Sequence, residues 1–110
     1  MYYVFKLPIF EKRAQKLLNP KELKEVDKII EQLKVNSNIG KPLSYPFLRE
    51  KRLKEKRIYF LVYEDITLVL LVSLSNKKSQ QDTIDEIKLY LNEFKEYAYE
   101  LHIKIKRGEI

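Results

Sequence analysis

The residues with the most chemical potential in this chain form a block of cations from Arg49 to Arg57. The run reads REKRLKEKR, so six of its nine residues are basic and two are acidic. The apolar, β-prone run IYFLVY follows it directly. Cations held on or beside a sheet attract phosphate, which makes nucleic acid the natural partner. A charged edge strand that discourages aggregation is the alternative explanation.

Other kinds of active site lack the residues they require. The chain has no cysteine, two glycines and a single histidine, His102. It therefore offers no thiolate nucleophile, no usual transition-metal site and no glycine-rich phosphate loop. The acidic group Asp82, Asp85 and Glu86 is explained by the favourable placement of negative charge at a helix start. We expect neither a metal nor a cofactor.

A site built from lysine and arginine can supply two of the three functions that RNA cleavage needs, positioning of the phosphate and neutralisation of its charge, whereas proton transfer is the third. RNA supplies its own nucleophile, the 2′-hydroxyl, so the protein must hold the phosphate in line and neutralise its growing charge. A general acid or base adds roughly 10²–10⁴-fold. Arg57 is the best single candidate, because it opens an apolar strand and its planar guanidinium can grip a phosphate with two hydrogen bonds.

Length and charge predict one domain, residues 1–110, with an uneven surface. The net charge is +6, but residues 79–110 hold five basic and seven acidic side chains, so the cations belong to the first part. No apolar run approaches the roughly 20 residues of a membrane helix. The N-terminal run YYVFKLPIF lacks the features of a signal peptide. We expect no membrane contact, and the composition is compatible with the cytoplasm.

The hydropathy pattern predicts a strand, a helical hairpin, three further strands and a final helix. Asn19 suits a helix cap and Pro20 the first helical position, so the second helix begins there. The first helix is expected over about 9–18, and the strands over 2–7, 45–52, 56–64 and 67–75. Glu64 and Asp65 are expected to form a tight turn.

The last segment has a heptad stripe of apolar residues: Ile84, Ile87, Leu91, Phe94, Ala98, Leu101 and Ile105. It predicts one long amphipathic helix over 83–107. Thr83 and Glu86 have capping-box spacing. The stripe spans about 33 Å at 1.5 Å per residue. We expect the first half to pack on the domain and the second to extend, pair with another copy or bind a partner. A long core helix is the alternative.

Two motifs and the order of the elements resemble the RelE/HigB toxins of the RelE/ParE superfamily. Lys56-Arg57-Ile58-Tyr59-Phe60 is similar to that family's strand of the type Y-R-hydrophobic-x-Y. Lys77-Lys78-Ser79-Gln80, after a valine- and leucine-rich strand, resembles its KKxQ signature. The resemblance covers residues 2–95. It implies an α+β, RelE-like fold in which an N-terminal strand and a helical hairpin pack on an antiparallel-rich sheet, followed by a long C-terminal helix.

The resemblance also implies a function and a set of site residues. The protein would be the toxin of a type II toxin–antitoxin system, a metal-independent endoribonuclease that cuts messenger RNA in the ribosomal A site and inhibits translation. An antitoxin would cover the basic face. The implied catalytic residues are Arg57, Lys77, Lys78 and Lys54. The implied RNA-binding residues are Arg49, Lys51, Arg52, Lys56 and Gln80.

One departure from the family keeps alternatives open. RelE proper has a catalytic aromatic residue shortly after its last strand, where this chain has Asp82, Thr83 and Ile84. The strand pattern predicts that Tyr59 and Tyr63 pack rather than react. The alternatives are a non-catalytic RelE-fold protein that binds an antitoxin or RNA, a ParE-like gyrase inhibitor, and an unrelated RNA-binding module.

Overall fold

A five-stranded mixed sheet organises the molecule, and the computed structural model describes all 110 residues. The elements in chain order are β1 Tyr3–Lys6, α1 Pro8–Leu17, α2 Pro20–Val35, β2 Lys41–Pro42, β3 Leu48–Leu53, β4 Lys56–Tyr63, β5 Leu68–Asn76, α3 Gln80–Leu89 and α4 Leu91–Lys106. The strand order is β1-β5-β4-β3-β2. Only the β1–β5 pair is parallel. The predicted α+β fold is confirmed.

The two central strands carry the core. Every residue of β5 from Leu68 to Ser75 is buried, as is β4 from Arg57 to Val62. Both strands bury side chains on both faces, which is the pattern of strands covered on both sides by helices. Contacts from the helices show this covering: Glu22 of α2 pairs with Lys56, whereas Gln80 of α3 bonds to Glu50 on the opposite face.

Local sequence sets the start of α2. The side chain of Asn19 accepts a hydrogen bond from the backbone N–H of Glu22 at 2.7 Å, and the Glu22 carboxylate accepts one from the Asn19 N–H at 3.0 Å. This reciprocal capping box satisfies two backbone donors that a helix start leaves without partners. With Pro20 at the first position, the predicted start of the helix is confirmed.

The single long C-terminal helix predicted over 83–107 is wrong. The chain forms two helices, interrupted at Tyr90 (φ −115°, ψ 21°), and α3 begins at Gln80 rather than at Thr83. Thr83 does not cap the helix, because its Oγ1 donates to the carbonyl of Ser79 within the first turn. A straight helix of that length would leave the sheet surface, whereas the break keeps both halves against the core.

The residues of the heptad stripe pack within the domain. Ile84, Ile87 and Ala98 are buried, and the remaining stripe residues, Leu91, Phe94, Leu101 and Ile105, pack against the core. The expectation that the second half of the stripe extends from the domain is therefore wrong. The long-core-helix alternative describes the packing better, although the core contact comes from two helices.

Smaller differences lie at strand ends. β3 starts at Leu48 rather than at residue 45, because the preceding residues form a turn whose carbonyl at Tyr45 accepts from the Leu48 N–H. The turn expected at Glu64 and Asp65 is a short 3₁₀ helix, Glu64–Ile66, that ends at Thr67 in the left-handed region. None of the helices combines the length and apolarity needed to cross a membrane.

Candidate nucleic-acid interface

The strand register gathers polar side chains on one face of the sheet. Residues paired across neighbouring strands point to the same face. Glu50 of β3 pairs with Tyr59 of β4, which pairs with Ser73 of β5; one step along, Arg52 pairs with Arg57 and Arg57 with Ser75. We call this the site face: Glu50, Arg52, Arg57, Tyr59, Ser73 and Ser75. Arg52 is exposed, whereas the other five are buried.

Two loops add cations at the same end of the sheet. Lys54 lies in the two-residue turn between β3 and β4, in the left-handed region at φ 53°. β5 ends at Asn76, opposite Lys56, and the exposed Lys77 and Lys78 follow it. We call the resulting group the cationic end: Arg52, Lys54, Arg57, Lys77 and Lys78. Phosphate bound there would meet up to five positive charges.

Arg57 is held firmly and yet reaches the surface. The residue is 6% exposed, and its Nη1 donates to the carbonyl of Lys56 at 3.2 Å and, at the limit of hydrogen bonding, to that of Lys54 at 3.5 Å. Its Nε and Nη2 make no hydrogen bond within the protein. Because no fully buried side-chain nitrogen or oxygen lacks a partner, these two nitrogens keep some contact with solvent. The outer edge of the guanidinium is therefore free for a bidentate contact with phosphate.

Gln80 links the first turn of α3 to the site face. Its Nε2 donates to Oε1 of Glu50 at 2.6 Å. Glu50 is a buried carboxylate that sequence reasoning did not single out, since it appeared as one acidic residue inside a basic run. The signal that identifies it is strand alternation, which places residues 50 and 52 together. Lys41 of β2 pairs with Glu50 and brings one more exposed cation to this face.

The two strand tyrosines are packing residues. The Tyr59 side chain is fully buried, and its hydroxyl shares a 2.9 Å hydrogen bond with Oγ of the buried Ser75. Burial raises the pKa of Tyr59, so its hydroxyl is neutral at pH 7. Burial likewise raises the pKa of Tyr63. This agrees with the packing role predicted for both, and α3 brings no tyrosine to the site in their place.

Three of the predicted RNA-binding residues lie on the other face. Strand alternation points Arg49, Lys51 and Lys56 away from Arg52 and Arg57. The guanidinium of Arg49 donates to the backbone carbonyls at 38, 39 and 40, and Lys56 Nζ lies 3.6 Å from Oε2 of Glu22. The other six predicted residues lie on the site face or in the segments that adjoin it: Arg52, Lys54, Arg57, Lys77, Lys78 and Gln80.

Comparison with solved structures identifies the fold, whereas no protein-family model and no curated protein sequence matches the chain. The isolated RelE toxin of E. coli superposes with a TM-score of 0.60 at 14% identity, over 79% of this chain and 99% of that one. The RelBE2 toxin–antitoxin complex of Mycobacterium tuberculosis gives 0.59 at 20% identity, over 69% and 91%.

A third structure extends the likeness to archaea. The RelB–RelE antitoxin–toxin complex of Methanococcus jannaschii contains a chain that matches with a TM-score of 0.56 at 22% identity, over 72% of this chain and 96% of that one. At these identities the likeness defines the architecture. The chain has the α+β fold of RelE toxins, and the RelE-like fold predicted from its sequence is confirmed.

Proposed function

We propose that this protein is the toxin of a type II toxin–antitoxin system, and that it cleaves messenger RNA in the ribosomal A site. The observation that carries the proposal is the cationic end on a RelE fold, in which four further cations surround the guanidinium of Arg57. The attacking group is the RNA 2′-hydroxyl, so the reaction requires no metal. The site of action is the cytoplasm, where translating ribosomes are found.

The geometry of the cationic end suits phosphoryl transfer at an RNA backbone. Arg57 is anchored by backbone carbonyls and presents Nε and Nη2 outward, so it can stabilise the phosphorane without reorganising. Arg52 and the lysines of the two loops add charge that holds the strand in place. Such contacts release counterions, so binding should weaken steeply with salt.

An antitoxin is the protein partner in this proposal. The M. tuberculosis and M. jannaschii matches are both toxin–antitoxin complexes. An antitoxin that covers the cationic end would block RNA there. Self-association through α4 is the alternative partner prediction. Its apolar stripe faces the core, so sedimentation of the free protein should show a monomer; a dimer would restore the alternative.

The test is messenger RNA cleavage on programmed ribosomes. We compare the wild type with the double variant Arg57→Ala, Lys77→Ala, and with Lys12→Ala, Lys24→Ala as the matched control. Both double variants remove two positive charges, but Lys12 and Lys24 are exposed on α1 and α2. We expect A-site cleavage by the wild type and the control, and loss of cleavage in the first variant. A 2′-deoxy nucleotide before the scissile phosphate should also block the reaction.

A non-catalytic RelE-fold protein is the second candidate. The observation that favours it is the start of α3, where the side chains of Thr83 and Ile84 are buried and no aromatic residue is present. A folded wild type that binds ribosomes without cutting the message would support this candidate and contradict the ribonuclease proposal.

A further inference from the structure

Glu50 is a buried carboxylate without a counter-ion in a strongly basic region. The residue is 6% exposed and takes part in none of the ion pairs of the structure. Burying an ionised carboxylate is costly unless it is paired. Glu50 therefore lies without an ion pair on the face that also carries Arg52 and Arg57.

The two oxygens of Glu50 have different environments. Oε1 accepts the 2.6 Å hydrogen bond from Gln80 Nε2, whereas Oε2 has no hydrogen-bond partner. Since every fully buried polar side-chain atom has a partner, Oε2 keeps some contact with solvent. One oxygen is thus fixed by the protein, and the other can accept a proton from a bound molecule.

Glu50 and Arg57 lie diagonally across the β3–β4 ladder on the same face. Glu50 pairs with Tyr59, and Arg57 pairs with Arg52 two residues further along β3. Diagonal neighbours of this kind are about 7–8 Å apart. This is the spacing of the two backbone positions, and because both side chains project from the same face, one bound ribose and its phosphate can contact both of them.

We propose that Glu50 is the general base of the cleavage reaction and that Gln80 is its positioning residue; the inference rests on the ribonuclease function proposed above. Oε2 takes the proton of the 2′-hydroxyl while the 2′-oxygen forms a bond to phosphorus. The P–O5′ bond breaks, and the leaving 5′-oxygen takes a proton from water. The products are a 2′,3′-cyclic phosphate and a 5′-hydroxyl, and Glu50 returns its proton to solvent.

Gln80 positions the general base, Glu50, through a single hydrogen bond. Because its amide donates to Oε1, it fixes the carboxylate rotamer and leaves Oε2 as the oxygen that can meet the substrate. The charged and titratable groups facing Glu50 from the packed elements are Lys41 of β2, Arg52 of β3, and Arg57 and Tyr59 of β4. Arg13 of α1 lies further along the same row, where its Nη1 donates to Oγ of Ser73 at 2.7 Å. From α3 the contact is the neutral amide of Gln80.

The test measures single-turnover cleavage on programmed ribosomes as a function of pH. Glu50→Gln should lower the rate by roughly 10²–10⁴-fold and abolish the fall in rate on the acid side of the profile. Glu55→Gln is the matched control, because Glu55 is exposed in the adjacent β3–β4 turn and the change in charge is the same. It should keep both the rate and the acid limb.

Gln80→Ala distinguishes positioning from a structural role. We expect a loss of about tenfold in the single-turnover rate, and no further loss when the same change is made in the Glu50→Gln background, because Gln80 acts through Glu50. A tenfold loss that is repeated in the Glu50→Gln background would overturn the positioning role of Gln80. If Glu50→Gln does not fold, Glu50→Asp retains a carboxylate and should retain the acid limb at a lower rate; loss of that limb would contradict the proposal.

The outcomes separate this inference from the proposed function. Cleavage by Glu50→Gln at the wild-type rate, with the acid limb intact, would overturn the role of Glu50 and leave the ribonuclease function standing. Absence of cleavage by the folded wild type would overturn both.

Discussion

The side chain of Arg49 binds the loop before β2, where its Nη2 donates to the carbonyl of Gly40 at 3.1 Å. The same guanidinium donates to the carbonyls of Asn38 and Ile39, each at 3.0 Å. One side chain thus ties three consecutive backbone carbonyls to β3. Its charge is used in holding the fold, although its position in the basic run suggested RNA binding.

Arg49→Lys should destabilise the protein. Lysine keeps the charge but has no planar fork, so it cannot reach three carbonyls at once. Hydrogen bonds from charged donors are each worth about 1.5–3 kcal/mol, and water will replace part of them, so we expect a loss of about 1–3 kcal/mol. Urea denaturation measures it. Arg52→Lys, at an exposed position, should change stability by less than about 0.5 kcal/mol; equal effects would refute the clamp.

Gly40→Ala should be costly for two reasons. Gly40 has φ +75°, and an added Cβ would lie 2.4 Å from the carbonyl oxygen of Glu50, which belongs to the rigid β3 backbone. We expect a loss of at least about 2 kcal/mol in the free energy of unfolding. Gly108→Ala is the control, because Gly108 has φ +74° but nothing within 4 Å. It should cost about 1 kcal/mol or less, so a similar loss at both sites would exclude the clash.

Protonation of Glu22 should lower the free energy of unfolding as the solution becomes acidic. The hydrogen bond from the Asn19 N–H, helped by Lys56, lowers the pKa of the Glu22 carboxyl from 4.5. A lowered pKa in the folded state stabilises it above the unfolded value, and this stabilisation is lost as pH falls through the folded value.

Glu22→Gln keeps the capping-box geometry but removes this titration. Urea midpoints measured between pH 6 and pH 3 should therefore fall less in the variant than in the wild type. Asp27→Asn, at an exposed site on the same helix and outside its ion pairs, is the control and should show the wild-type fall. Parallel pH curves for wild type and Glu22→Gln would contradict the prediction.

Tyr59→Phe should reduce stability without abolishing cleavage. The variant deprives the buried Ser75 hydroxyl of its partner, at a cost of about 1–2 kcal/mol. A double-mutant cycle with Ser75→Ala should give a coupling free energy of about 0.5–1.5 kcal/mol. The ribosome assay is the second measurement: a loss of cleavage as deep as that of the Arg57 variant would mean that Tyr59 takes part in the chemistry.

The sequence was sufficient to predict those elements whose structure is determined by neighbouring residues. The start of α2 is specified within four positions by Asn19, Pro20 and Glu22, because a capping box needs only local hydrogen bonds. The apolar runs of β4 and β5 predicted central strands. Arg57 was identified as the principal cation, and the structure places it with a free guanidinium edge at the surface.

Tertiary structure decided what local pattern leaves open. A strand turns successive side chains to opposite faces, so the turn at Lys54 sets the register that separates Arg49, Lys51 and Lys56 from Arg52 and Arg57. The start of α3 places Gln80 against Glu50 across 30 residues of chain, and the break at Tyr90 appears only when a helix must follow a sheet. The sequence determines the elements and the charges they carry, whereas long-range packing decides which charges meet.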